Sequence, residues 1–205
     1  MGAPQPKQFL PLKGKAILQH SIEAFHKVDP TFNYIVVLPE EHIAYWENHC
    51  KIKKFTVPHL IVKGGEQRFY SVQNALAHVK NGSHVLIHDG VRPLVSKQTI
   101  KRVIESIGKY GNGIPVMPIA DSVRRKVGLG SEPVDRTQLN TVQTPQGFSA
   151  EVIKKAYEQN YHISYTDDAS VVEQLGIKIH CVEGNRENIK ITEPADLKLG
   201  EFYLG

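Results

Sequence analysis

Short apolar runs alternate along this chain with segments of helical periodicity, and each change of period falls at a glycine, a proline or a polar cluster. Ile17, Leu18, Ser21, Ile22 and Phe25 recur at helical spacing, and Asn33 to Leu38 is a short apolar strand. A helix from Glu40 to about Cys50 follows, then a strand from His59 to Val62, then the flexible turn Gly64-Gly65-Glu66-Gln67-Arg68. That turn leads into a helix with Val72, Ala75, Leu76 and Val79 on one face. Val85-Leu86-Ile87 is the next strand, and Ile100, Val103, Ile104 and Ile107 form the buried stripe of a helix that runs to Gly111-Asn112-Gly113. Repeated strand–helix units of this length predict an α/β domain with a mostly parallel sheet and right-handed crossovers. Ile114 to Ile119 is a further strand, expected at an irregular or edge position because Pro115 and Pro118 cannot donate to a ladder.

The most informative stretch is Val85-Leu86-Ile87 followed by His88-Asp89-Gly90-Val91-Arg92-Pro93. The apolar run reads as a strand buried in a sheet covered on both faces. In open α/β sheets ligands sit beyond the carboxyl ends of the strands, so an Asp and an Arg placed there face a cleft. Pro93 fixes the chain direction and favours an extended Arg92.

The 205 residues suffice for one domain with a real core. A net charge of +4 favours anionic ligands, without the dense basic tracts of a nucleic-acid binder. No apolar run reaches membrane-spanning length and no secretory signal is visible, so a cytoplasmic protein without membrane or nucleic-acid partners is expected. Cys50 and Cys181 lie far apart and make no metal-binding spacing, which fits reduced thiols.

Outside the helix–strand units, Met1 to Leu10 is too rich in proline for helix or strand and reads as a loop carrying the exposed cation Lys7. From Ala120 to Arg136 the chain alternates as a hairpin around Gly128-Leu129-Gly130, with too few apolar residues to bury itself, so it should pack on a second copy of the chain. Gln143-Thr144-Pro145-Gln146-Gly147-Phe148 is a rigid polar loop before a helix containing Val152, Ile153 and Ala156, with Ser149 as a plausible N-cap. Thr166-Asp167-Asp168-Ala169-Ser170 opens another helix, where the two acids complement the dipole. Asn188-Ile189-Lys190-Ile191-Thr192 presents Lys190 opposite its two isoleucines, and a final helix from Pro194 to Tyr203 has Leu197 and Phe202 to dock it.

Taken in order and at their spacing, these motifs resemble the 2-C-methyl-D-erythritol 4-phosphate cytidylyltransferases. The set comprises Pro6-Lys7-Gln8-Phe9-Leu10, Gly64-Gly65-Glu66-Gln67-Arg68 with Ser71, His88 to Pro93, Gln143 to Gln146, Thr166 to Ala169 and Asn188 to Thr192. The resemblance runs from Pro6 to the C-terminus. It implies a Rossmann-like, mostly parallel sheet flanked by helices in a single domain, with a β-hairpin dimerisation arm at about 120–138 that joins a homodimer. It also implies transfer of a cytidylyl group from CTP to methylerythritol phosphate, releasing pyrophosphate, in non-mevalonate isoprenoid precursor biosynthesis. Two alternatives stand beside it: a ribitol 5-phosphate cytidylyltransferase, and a non-catalytic CTP-binding module. One departure is large: the family opens with a strand and an Ala-Gly-Gly-x-Gly-x-Arg-Met-Gly loop, whereas this chain starts with Met1-Gly2, so that strand and loop are expected to be absent from these residues. A smaller one is Ser122, where the family usually has threonine.

The resemblance assigns roles that suit the chemistry. Two anions must meet, so the reaction needs positioning and charge neutralisation. Lys7 and Lys190 would be the catalytic cations at the α-phosphate. Lys7, Gly64, Gly65, Glu66, Ser71, Asp89 and Gly90 would bind the nucleotide. Asp89, Arg92, Thr144 and Lys190 would bind the acceptor, with Ser122 and Arg136 reaching in from a partner's arm. Mg²⁺ or another divalent cation would bridge the triphosphate oxygens, with Asp89 as the one candidate contact.

Overall fold

The computed structural model describes residues 6–205; of the expected N-terminal loop, residues 1–5 lie outside the described residues. In chain order the elements are β1 (Pro11–Leu12), β2 (Lys15–Ala16), α1 (Ile17–His26), β3 (Ile35–Leu38), α2 (Glu40–Ile52), β4 (Leu60–Lys63), α3 (Arg68–Leu76), β5 (His84–Ile87) and α4 (Lys97–Tyr110). They continue with β6 (Asn112–Pro118), β7 (Val123–Val127), β8 (Gly130–Val134), β9 (Asn140–Val142), β10 (Gln146–Ser149), α5 (Ala150–Ala156), α6 (Asp168–Glu173), β11 (Cys181–Glu183) and α7 (Pro194–Tyr203). The expected α/β architecture is present, and most boundaries fall within two residues of the sequence reading. The loop around Lys7 tightens into a single 3-10 turn, Lys7–Phe9.

The largest sheet is mixed, in the order β11-β6-β10-β5, with β9 also paired to β6. β10 runs antiparallel to both β5 and β6, and β11 is parallel to β6, so β5, β6 and β11 share one direction. β3 and β4 form a separate parallel pair. α4 covers one face: Ser96 caps it by accepting from Thr99 N at 3.1 Å, and Gly111 ends it at φ +80°. Its fit is close enough that a Cβ on Gly147 of β10 would sit 2.4 Å from Val103 Cγ1. The next residue, Phe148, points the other way into a core with Phe69, Leu76, Ile153, Tyr157 and Val172 from α3, α5 and α6. Burial of such side chains contributes about 1.5–3 kcal/mol each.

Three expectations need correction. β6 is not an edge strand, since it lies between β11 and β10 and Ile114 donates to His180 O at 2.9 Å on the β11 side; the irregular alternative is the one that fits. Alternation then turns the nitrogen of Pro115 to the other side, where the partner changes from β10 to β9 and no ladder donor is needed. The run Val85-Leu86-Ile87 is half-buried, since β5 pairs with β10 alone among the described residues. Finally, Phe202 is 77% exposed. α7 docks instead through Leu197 and Gly200, whose absent side chain leaves room for Leu12 and Ile191.

β7 and β8 form the expected hairpin, in register from Val123↔Val134 to Val127↔Gly130. Nearly every residue of it is exposed, Leu129 at its tip most of all.

Candidate active site

β5 ends at Ile87, and the six residues after it form a turn that gathers charge. Asp89 Oδ2 lies 3.1 Å from Arg92 Nε and 3.3 Å from Lys190 Nζ. Arg92 Nη1 donates to the Asn188 carbonyl at 2.8 Å, and Arg92 N donates to Asp89 O at 3.0 Å. Lys190 arrives because its neighbour Ile191 is fully buried against Leu12 and Ile17, while Ile191 N donates to Val91 O at 2.9 Å. With the isoleucine anchored inward, the lysine faces out and stays half-exposed over Asp89. Burial pushes the Asp89 carboxyl up, but Lys190, Arg92 and the more distant Arg68 outweigh it and hold it below the usual carboxylate range. The site is thus a pinned carboxylate rimmed by cations.

The expected Gln143–Phe148 loop is strand from Gln146 onward, as β10 pairs with β5 and β6, and the side chains of its first residues tie this turn to two other segments. Gln143 donates to Asn185 O at 2.9 Å and accepts from Asn188 Nδ2 at 3.3 Å, while Asn188 Nδ2 also donates to Thr144 O at 2.8 Å. Thr144 is buried and its hydroxyl accepts from Asp89 N at 3.1 Å. Gln146 donates to Asp167 Oδ2 at 2.8 Å and accepts from Ala169 N at 2.9 Å. Three motifs far apart in sequence are therefore brought together, with Asp89, Arg92, Thr144 and Lys190 in one cluster.

The glycine turn after β4 lies at the head of α3. Gly64 N donates to Leu38 O at 2.8 Å and Gly65 N donates to Ser71 Oγ at 3.0 Å, leaving Gly65 and Glu66 exposed. A Cβ on Gly65 would sit 2.4 Å from Tyr70 Cβ, so the turn requires glycine there. Arg68, at the end of this turn, makes a two-pronged pair with the fully buried Asp168: Nη1 to Oδ1 at 2.9 Å and Nη2 to Oδ2 at 2.5 Å. Tyr157 donates its hydroxyl to Asp168 Oδ1 at 2.6 Å. Burial would lower the Arg68 guanidinium's value, but the Asp168 charge raises it above its ordinary range; burial and that same charge raise the Tyr157 phenol. Sequence reasoning missed this pair. Asp167 caps α6, accepting from Ser170 N at 2.9 Å, while Asp168 beside it serves the tertiary structure.

Of the remaining candidates only Gly90 belongs to this turn; no hydrogen bond or ion pair joins Lys7, Ser122 or Arg136 to the cluster among the described residues. Gly90 accepts from Ser21 Oγ at 3.0 Å, which fastens the turn to α1. Lys7 is exposed and close enough to Asp196 to help lower that carboxyl, behind the hydrogen bonds from Thr192 and Glu193; among the described residues it has no ion pair to Asp89. Ser122 and Arg136 line an open cavity of about 470 Å³ at the root of the hairpin, where Arg136 donates to Ala120 O. A second cavity of about 420 Å³ is bordered by Arg92, Asn188, Gln143 and Arg186, together with Ala120 from the hairpin root. Among the described residues no three His, Cys, Asp or Glu side chains gather into a cation cage. One carboxylate whose Oδ1 has no partner among the described residues, as at Asp89, suits a Mg²⁺ that brings most of its oxygen ligands with it.

Comparison with known proteins identifies the family of the chain. The family model for 2-C-methyl-D-erythritol 4-phosphate cytidylyltransferase (IspD) matches residues 1–205. The enzyme of that name from Bacteroides thetaiotaomicron is 48% identical over 204 residues, which cover 100% of this chain and 93% of the relative. The one from Porphyromonas gingivalis is 44% identical over 206 residues, covering 100% and 91%. The crystal structure of the Thermus thermophilus enzyme superposes with a TM-score of 0.81 at 30% identity, covering 98% of this chain and 95% of that one. A model matched end to end, with relatives this similar over their whole shared length, means that the chain belongs to the 2-C-methyl-D-erythritol 4-phosphate cytidylyltransferase family.

Proposed function

We infer that this chain joins CTP and 2-C-methyl-D-erythritol 4-phosphate, giving 4-diphosphocytidyl-2-C-methyl-D-erythritol and pyrophosphate. The observation that carries this reading is the Asp89–Arg92–Lys190 cluster beyond β5, in a chain of this family. The acceptor's phosphate oxygen attacks the α-phosphorus, and pyrophosphate leaves. Lys190 and Lys7 neutralise charge on the α-phosphate as its geometry becomes pentacoordinate, an effect worth about 10²–10³ in rate for a well-placed donor. Arg92 holds the acceptor phosphate through its planar fork, Asp89 orders the polyol hydroxyls, and Thr144 keeps Asp89 in place. Gly64, Gly65, Glu66, Ser71 and Gly90 border the cytidine, and backbone carbonyls there accept from the cytosine amino group. Asp89 would be the protein contact for a Mg²⁺ carried on the triphosphate, and such an ion would supply charge neutralisation for the leaving pyrophosphate.

The hairpin is the dimerisation arm of a homodimer in this reading, and its Ser122 and Arg136 complete the acceptor site of the partner. A polar hairpin that buries nothing of its own is marginal in water, which supports a role for it in association. The domain is single, from residue 1 to 205 with the arm at about 120–138, and works in the cytoplasm; no helix among the described residues is long and apolar enough to cross a membrane.

The test is pyrophosphate release by the encoded protein with CTP and Mg²⁺, supplying methylerythritol 4-phosphate or ribitol 5-phosphate. Turnover with the first and little with the second is expected, as the names of the relatives favour. Preference for ribitol 5-phosphate, or CTP binding without pyrophosphate release, overturns the reading. Sedimentation at micromolar concentration should give a dimer, and a fully active monomer would remove Ser122 and Arg136 from the site.

A further inference from the structure

The turn after β5 is held by more than its ion pairs. His88, the first residue beyond the strand, packs its ring edge against Phe25 of α1 with centroids 4.9 Å apart, and both of its nitrogens are engaged. Nε2 lies 2.9 Å from the Arg92 carbonyl oxygen, and Nδ1 lies 3.0 Å from Thr144 Oγ1. The partners determine where the hydrogens sit. A carbonyl oxygen can only accept, so Nε2 carries a hydrogen. Thr144 Oγ1 already accepts from Asp89 N, so its own hydrogen points to Nδ1, which is the bare nitrogen. A directed chain results: Asp89 N–H to Thr144 Oγ1–H to His88 Nδ1, then His88 Nε2–H to Arg92 C=O. Both ends fall on the backbone of two of the three residues whose side chains make the ion cluster.

We propose that His88 is a positioning residue for nucleotidyl transfer: as the Nε2–H tautomer it locks, through Thr144, the turn that sets Asp89 against Arg92 and Lys190. The catalytic part of this rests on the function inferred above; the tautomer does not. With the opposite tautomer the bare Nε2 would face the Arg92 carbonyl, lone pair against lone pair, and the Thr144 hydrogen would lose its acceptor. The turn would have to shift, and a misplacement of about 1 Å costs up to about 10²-fold in rate. Threonine at 144 is required for its hydroxyl, which can accept from an amide and donate to an imidazole at once; valine has the same shape and can do neither.

Two measurements test the proposal. Long-range ¹H–¹⁵N correlation on ¹⁵N-histidine-labelled wild type, without substrate, should show His88 in a single Nε2–H form, and Thr144→Val should release it into a mixture of tautomers. In pyrophosphate release, His88→Phe and Thr144→Val should each lower kcat by up to about 10²-fold, the cost of misplacing a reacting group by about 1 Å. The KM for CTP should change little. Thr144→Ser should recover much of the loss seen in Thr144→Val, and the double variant should be little worse than either single one, because both cut the same chain. An Nδ1–H form in the wild type, losses that multiply in the double variant, or no recovery with serine would overturn it. If wild type turns over neither polyol phosphate, the inferred function fails while the tautomer result still stands or falls alone.

Discussion

Replacing Arg68 with alanine isolates the buried Asp168 carboxylate. That carboxylate is fully buried and takes two donors from Arg68 and one from Tyr157. After Arg68→Ala the Tyr157 hydroxyl alone remains of the three. Removing one partner of a buried pair costs about 3–5 kcal/mol, because the other charge stays behind without compensation. The Arg68 side chain is 44% exposed, so water can enter the vacated space and screen Asp168. That places the expectation near the lower end, about 3 kcal/mol. Urea titration followed by the fluorescence of Trp46, the chain's single tryptophan, reads the deficit. A deficit under about 1 kcal/mol at pH 7.5 would refute the reasoning, since an uncompensated buried charge costs more than that. Replacing the pair together, Arg68→Met with Asp168→Leu, should recover most of the loss.

Lys190→Ala should lower kcat more than it raises KM in steady-state pyrophosphate release, because its ammonium acts on charge that develops at the α-phosphorus; a pure KM effect would contradict that role. Burial pushes the His88 ring down to about 4 from its usual 6.5, so folding favours the neutral form. Its contribution, at most about 3 kcal/mol, is fully present above pH 6.5 and is lost as pH falls toward 4. The stability curve of His88→Phe should therefore be flatter over that window than that of wild type. Gly65→Ala brings a methyl within 2.4 Å of Tyr70 Cβ and 3.3 Å of its Cα, contacts that no side-chain rotation relieves. Its urea midpoint should fall by an amount equivalent to about 1–3 kcal/mol, and CTP should bind more weakly; an unchanged midpoint would mean that the turn adapts freely.

What the sequence disclosed about this site divides by distance along the chain. The end of β5 was legible because the signal is local: three aliphatic residues stop at His88-Asp89-Gly90, and the structure ends the strand at Ile87. The β7–β8 hairpin was equally plain from its alternation and its glycine turn. Pro115 misled because a missing donor says where a strand cannot be paired, and only the topology reveals that β6 has a gap between β9 and β10 at that point. Asp167 and Asp168 show the limit most clearly. Both suit the first turn of a helix, and no local property separates the one that caps from the one that meets Arg68 across 100 residues of chain. The same holds for Gln143, Thr144 and Gln146, which read as a polar loop and prove to grip the Asn185–Asn188 segment, the Asp89 turn and the start of α6. Because these three side chains follow one another along a short stretch, they cannot move independently. A displacement of that loop would shift Asp89, Arg92's partner Asn188 and the Asp167 cap together, so the site's geometry depends on a segment that displays very little charge of its own.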